Sequence, residues 1–102
     1  MIHVVAEIQL APGKRDEYLK LFAQLVPKVQ AEQGCIAYGP TIDVESGFGA
    51  QQPLRDDVVT VIEQWSDLDA LKAHIAAPHM AEYKEAVTDI VTGLDLKILK
   101  PV

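Results

Sequence analysis

The stretch Val58-Val59-Thr60-Val61-Ile62-Glu63-Gln64-Trp65, running on through Ser66 to Met80, decides the fold. Its first eight residues alternate: Val59, Val61, Glu63 and Trp65 share one side, and Val58, Thr60, Ile62 and Gln64 share the other. A period of two carried by β-branched residues predicts a strand. Ser66 then opens a helix, with Asp69 three residues on in a capping-box pattern that has Asp in place of Glu. Leu68, Leu71 and Ile75 recur at helical spacing and form the expected buried stripe. Pro78 interrupts that helix, because a residue preceding proline avoids the helical conformation. A second helical piece over 79–91 places Met80, Tyr83, Val87 and Ile90 inward and ends at Gly93.

Working outward, residues 2–10 alternate with Ile2, Val4, Ala6, Ile8 and Leu10 on one side, and Pro12-Gly13 makes the turn that follows. Residues 14–33 carry Tyr18, Leu21, Phe22, Leu25 and Val29 at helical spacing, with Asp16 and Glu17 where the helix dipole favours acids and Gly34 as the stop. Pro27 lacks the N–H that would bond the Ala23 carbonyl, which predicts a kink. Residues 35–44 read as a strand with Ile36, Tyr38, Ile42 and Val44 on one side, and 45–57 read as a loop with a short strand possible near Phe48. Residues 94–100 alternate again through Leu94, Leu96 and Ile98.

The predicted order is strand, helix, strand, strand, broken helix, strand. That is the ferredoxin-like split βαβ arrangement, an α+β fold, filling residues 1–102 as one domain. Two helices cover one face of such a sheet. Both strand faces are partly apolar here (Val5 opposite Val4, Val59 and Val61 opposite Ile62), so the bare face predicts a two-fold homodimer.

A formal charge of −6, from 15 acidic and 9 basic residues, argues against nucleic acid and against an anionic membrane surface as partners. No apolar run reaches the ~18 residues that span a bilayer, and Met1 leads straight into a strand-like segment. The single Cys35 fits a reducing compartment, so the expected location is cytoplasmic.

Residues able to carry chemistry gather at Glu63, Trp65, His74, His79 and Tyr83, with Tyr38 joining from the second strand. His74 and His79 are five apart, about 140° around a regular helix, so the spacing does not encode a metal site. No dinucleotide fingerprint is present, and no cofactor is expected. General acid–base work remains, which histidine performs near neutral pH. His74, three residues after Leu71, is a candidate base, as is His79 at a helix start. Glu63, sharing a face with Trp65, needs a partner if buried, and His74 is a candidate. Trp65, Tyr38 and Tyr83 are candidate pocket walls, and Phe22 and Met80 are core residues that could border a ligand.

Together these residues resemble a known family. Val61-Ile62-Glu63-Gln64-Trp65, Leu71, His74, Pro78-His79-Met80, Tyr83 and Glu85-Ala86-Val87 follow the pattern of antibiotic biosynthesis monooxygenases. So do Val5-Ala6-Glu7-Ile8, Pro12-Gly13, Val26-Pro27 and Glu32-Gln33-Gly34-Cys35, and the likeness is greatest to members that oxidise quinols such as menadiol. The resemblance implies a dimeric α+β barrel of ferredoxin-like units. It also implies oxidation of a small hydroxylated aromatic by molecular oxygen without metal or flavin. On that reading His74 or His79 accepts a quinol proton, Glu63 orients a histidine, and Trp65, Tyr38, Tyr83, Phe22 and Met80 bind substrate. Haem-degrading relatives use an asparagine on the first strand and a later helical histidine. Ala6, Glu7 and Lys84 stand in those regions, so haem ligation is not implied. Two other readings stand beside it. One is isomerisation of a small phosphorylated autoinducer-like ligand at the same histidines, with Lys72 and Lys84 as the nearby cations. The other is a non-catalytic quinone-binding stress module.

Overall fold

The alternation and helical periods become seven elements in the computed structural model, which describes all 102 residues. In chain order they are β1 (Ile2–Leu10), α1 (Arg15–Gln30), β2 (Cys35–Thr41), β3 (Val58–Trp65), α2 (Leu68–Ile75), α3 (Pro78–Ala86) and β4 (Val91–Leu99). The strands form one antiparallel sheet in the order β2-β3-β1-β4, the α+β ferredoxin-like topology. Register pairs Ala6 with both Val61 and Leu96, and Tyr38 with Glu63.

Period two decides which side chains face the helices. Val4, Ala6, Ile8 and Leu10 of β1 and Val59, Val61, Glu63 and Trp65 of β3 are all buried. α1 lays Tyr18, Phe22, Leu25 and Val29 against them. Each such aliphatic or aromatic side chain contributes about 1.5–3 kcal/mol when fully withdrawn from water. Aromatic packing extends the layer: Phe22 stacks on Tyr18 and on Tyr38, both with centroids 5.6 Å apart.

The helices reach over β2, β3 and the centre of the sheet and leave β4 uncovered. Leu94, Leu96 and Ile98, which belong to the helix-covered face by register, are therefore about half exposed. On the opposite face Val5, Ile62 and Leu99 mix with charge. There Arg55 pairs with Glu7 at 2.5 Å and forms two 2.9 Å bonds to Asp43, tying the 42–57 loop to the sheet. Hydrogen bonding to Arg55 holds the Asp43 carboxyl below its usual range.

Several local expectations are corrected. The cap of α2 is Asp67, whose carboxylate accepts from Ala70 N at 2.8 Å, so α2 starts one residue later than a Ser66 cap requires. The buried stripe of α2 is Leu71 and His74, while Leu68 and Ile75 are half exposed. α3 ends at Ala86; a turn through 87–90 buries Val87 and Ile90, and Gly93 lies inside β4 with its α-carbon against Gln9 rather than at a helix end. α1 contains Pro27 and spans Arg15–Gln30, ending short of the expected residue 33. β2 stops at Thr41. Ile36 sits at a register shift and is exposed, because the bulge breaks the alternation that ties it to buried Tyr38, and Ile42 and Val44 are exposed because they lie beyond the end of the strand. Phe48 lies in the loop and is exposed.

Gly34 connects the fold to the site. Its φ of +85° suits glycine, and a β-carbon there would sit 2.6 Å from Ala70 Cβ and 2.7 Å from Ser66 Oγ. Ser66 N also donates to Gly34 O at 2.8 Å. The turn after α1 is thereby pressed against the start of α2, which brings Glu32 to His74.

Candidate active site

A cavity of about 400 Å³ opens between the sheet and the α2–α3 corner, with β4 forming one wall. Of its 19 lining residues 15 are hydrophobic, and the polar exceptions are Glu63, His74, Lys84 and Thr88. This is the size and character of a small-molecule site: apolar walls with a few polar groups that fix orientation.

His74 is the best-defined polar group. Helical spacing from Leu71 turns it inward, where it is 3% exposed. One ring face meets Trp65 at a 4.7 Å centroid distance, and Tyr38 meets it edge-on at 5.5 Å. Nδ1 lies 2.9 Å from Glu32 Oε2. Nε2 has no partner within the chain, on a ring that lines the cavity and whose Nδ1 edge is turned to Glu32. With Glu32 as a carboxylate, able only to accept, the proton sits on Nδ1 and the lone pair on Nε2 faces the cavity.

His79 does not line the cavity. Pro78 sets the first turn of α3, and His79 Nε2 reaches the same Glu32 Oε2 at 2.6 Å, with its side chain 22% exposed. Trp65 does not line the cavity either. It is fully buried behind His74, and its Nε1 donates to Glu63 Oε1 at 2.9 Å. Glu63 is thus bonded to Trp65 two residues along the same strand face, not to a histidine; the carboxylate that orients His74 is Glu32. Burial pushes the Glu63 carboxyl above its ordinary range, opposed by the Trp65 bond and the nearby His74.

Tyr38, Tyr83, Phe22 and Met80 line the cavity. Tyr83 and Tyr18 share a hydroxyl–hydroxyl hydrogen bond. Burial raises the phenols of Tyr18, Tyr38 and Tyr83; for Tyr38 the charge of Glu63 adds to it, and for Tyr83 the Tyr18 bond opposes it. These hydroxyls therefore stay protonated at neutral pH.

Sequence reading passed over Glu32 as a site residue and Tyr18 as anything but core. A signal for Glu32 exists: it follows Val29 by three, so it extends the inward stripe of α1 beyond the helix end. Leu94, Leu96 and Ile98 also line the cavity, on the strand that no helix covers.

The sequence pattern of the family described as antibiotic biosynthesis monooxygenase matches residues 1–86, which hold Glu32, Tyr38, Glu63, His74, His79 and Tyr83. The chain belongs to this family. It is 41% identical over 103 residues to Escherichia coli (strain K12) "Probable quinol monooxygenase YgiN", across 99% of this chain and 98% of that one. A crystal structure of a conserved protein from Methanosarcina mazei Go1 superposes with a TM-score of 0.80 at 27% identity, covering 97% of this chain and 90% of the other. PA3566 from Pseudomonas aeruginosa shares the fold, with a TM-score of 0.80 at 23% identity over 99% and 93% of the two chains. No helix of the chain is long and apolar enough to cross a membrane.

Proposed function

We propose that this chain is a cofactor-independent quinol monooxygenase in which His74 Nε2 accepts a proton from a bound quinol. The observation that carries the reading is the unpartnered Nε2 at the wall of an apolar cavity, on a ring whose other nitrogen is fixed by Glu32. The identity to a relative named as a quinol monooxygenase supports the substrate class. Two fused six-membered rings suit a cavity of about 400 Å³.

The chemistry asks little of the protein beyond what these residues offer. Removing the hydroxyl proton from a quinol gives a quinolate, electron-rich enough to reduce dioxygen directly: two electrons and, in all, two protons pass from the quinol to dioxygen, leaving the quinone and hydrogen peroxide. His74 takes the proton and becomes an imidazolium, which the Glu32 carboxylate stabilises through the 2.9 Å Nδ1 contact. Tyr38 and Tyr83 offer hydroxyl groups to the second oxygen of the ring system, and the apolar walls exclude bulk water. Lys84 is the one cation that lines the cavity, a sparse cradle for a phosphorylated ligand, and the oxidation reading is preferred for that reason.

We assign residues 1–102 to one catalytic domain acting as a homodimer, in line with the half-exposed Leu94, Leu96 and Ile98 and with Val5 and Ile62 on the other face. A reducing cytoplasm suits the unpaired, partly buried Cys35. The function is tested by oxygen uptake with menadiol, measured against autoxidation without protein. Uptake well above that background is expected, and a rate never above it would overturn the proposal. Light scattering after size exclusion tests the dimer: a monomeric mass refutes it.

A further inference from the structure

We propose that Glu32, His74 and His79 also form a binding site for a divalent late first-row transition ion such as Zn²⁺, and that an ion there disables the base. The inhibition, though not the binding, rests on the reading of His74 as base.

The three donor atoms, Glu32 Oε2, His74 Nδ1 and His79 Nε2, all lie within 4.8 Å of one another. They come from three separate segments, the turn after α1, α2 and the first turn of α3, and both nitrogens aim at one oxygen, at 2.9 and 2.6 Å. Around a tetrahedral zinc ion with bonds of about 2.0–2.1 Å, donor atoms stand roughly 3.3 Å apart. Seating an ion therefore takes an outward shift of the carboxylate together with a turn of the two imidazoles toward a common point. Two imidazoles and one carboxylate are the donor set of a three-ligand site with an open position, and they suit zinc, copper or nickel, not calcium or magnesium, which prefer all-oxygen shells.

The segments that carry the donors are held in place, while the carboxylate itself can turn. His74 is packed on Trp65, the turn that carries Glu32 is tied to α2 by the Ser66 N–H bond to Gly34 O, and Pro78 sets the turn that carries His79. Access is from the α3 side: the His79 and Glu32 side chains are 22% and 13% exposed, whereas that of His74 is 4%. An ion therefore need not pass through the cavity. The chain's net charge of −6 raises the local concentration of cations.

Occupancy has a specific chemical consequence. A metal takes the lone pair of His74 Nδ1, so the ring proton moves to Nε2, the atom facing the cavity. His74 then presents a donor where the proposed reaction needs an acceptor. His79 changes tautomer in the same sense, from Nε2–H to Nδ1–H, and no net proton is lost from either ring.

Trp65, the single tryptophan, lies against His74 and reports on it. The test is equilibrium dialysis of the chelator-treated full chain with Zn²⁺, alongside Trp65 fluorescence and the visible spectrum with Co²⁺. One ion per chain is expected, with a fluorescence change of the same midpoint and Co²⁺ bands of low-coordinate geometry. Loss of a direct ligand should weaken binding by more than the about 10- to 100-fold typical of outer partners, in both His79→Ala and the near-isosteric Glu32→Gln. Absence of stoichiometric binding, or affinity unchanged in both variants, overturns the site. Stoichiometric Zn²⁺ that leaves menadiol oxidation untouched overturns the inhibition and keeps the site. If the parent oxidises no menadiol, the dialysis and fluorescence still decide the binding.

Discussion

His74 Nδ1 lies 2.9 Å from Glu32 Oε2, joining residues 42 positions apart. The contact fixes the tautomer of a buried imidazole and leaves its other nitrogen open to an apolar cavity. Glu32→Gln removes the formal charge and allows the amide to turn either way, so the ring is no longer held in one tautomer. A fall in kcat/KM for menadiol of about 10- to 100-fold is expected, smaller than the 10²–10⁴-fold typical of losing a general base. Steady-state oxygen uptake checks it, with circular dichroism confirming the fold.

Gly34 supplies the approach behind that contact. Gly34→Ala forces a β-carbon into Ser66 and Ala70 at a backbone φ of +85°, whereas Gly47→Ala meets only the strain of its φ of +79°, with open space around it. The Gly47 change should cost about 1–2 kcal/mol. The Gly34 change should cost more than that and should also lower activity, by moving Glu32 away from His74. Urea unfolding and oxygen uptake of both variants compare the two.

The Tyr18–Tyr83 hydroxyl pair makes an asymmetric prediction. Tyr18 is fully buried and Tyr83 borders the cavity. Tyr83→Phe strands the Tyr18 hydroxyl and should cost about 1–3 kcal/mol. Tyr18→Phe should cost less, because the Tyr83 hydroxyl still reaches the cavity. The double variant should cost less than the sum of the two, read as a coupling energy from a double-mutant cycle of urea midpoints.

Glu63 carries a pH prediction. Burial raises its folded carboxyl above the ordinary value. Its contribution to stability is therefore full below the unfolded carboxylate pKa and is lost as pH rises through the higher folded value. Glu63→Gln keeps an acceptor for Trp65 Nε1 and removes the titration. Relative to the parent, the variant should gain thermal stability at pH 8 and gain less at pH 4, as thermal unfolding at the two values will show.

Much of this architecture is legible in the amino-acid order. The alternation through Val59, Val61, Glu63 and Trp65 gives a strand with the expected buried face, and Tyr18, Phe22, Leu25 and Val29 give the inward stripe of α1. Where reading failed, a tertiary contact overrides a local pattern. Leu68 and Ile75 have the spacing of core residues, but α2 turns His74 inward in their stead because the ring finds Trp65 on one side and Glu32 on the other. Gly93 resembles a helix stop, yet the helix has ended at Ala86 and the glycine lets β4 pass close to Gln9. The central carboxylate was hidden for a related reason. Glu63 sits nearer the histidines in sequence and takes the Trp65 N–H, while Glu32 reaches them across a long chain separation that no spacing rule connects.

The account turns on His74 as the proton acceptor, and the most direct measurement is oxygen uptake with menadiol for the parent and for a folded His74→Ala variant. The account predicts a loss in kcat/KM of about 10²–10⁴-fold, the usual contribution of general-base catalysis. A folded His74→Ala protein that oxidises menadiol at the parent's rate would contradict it.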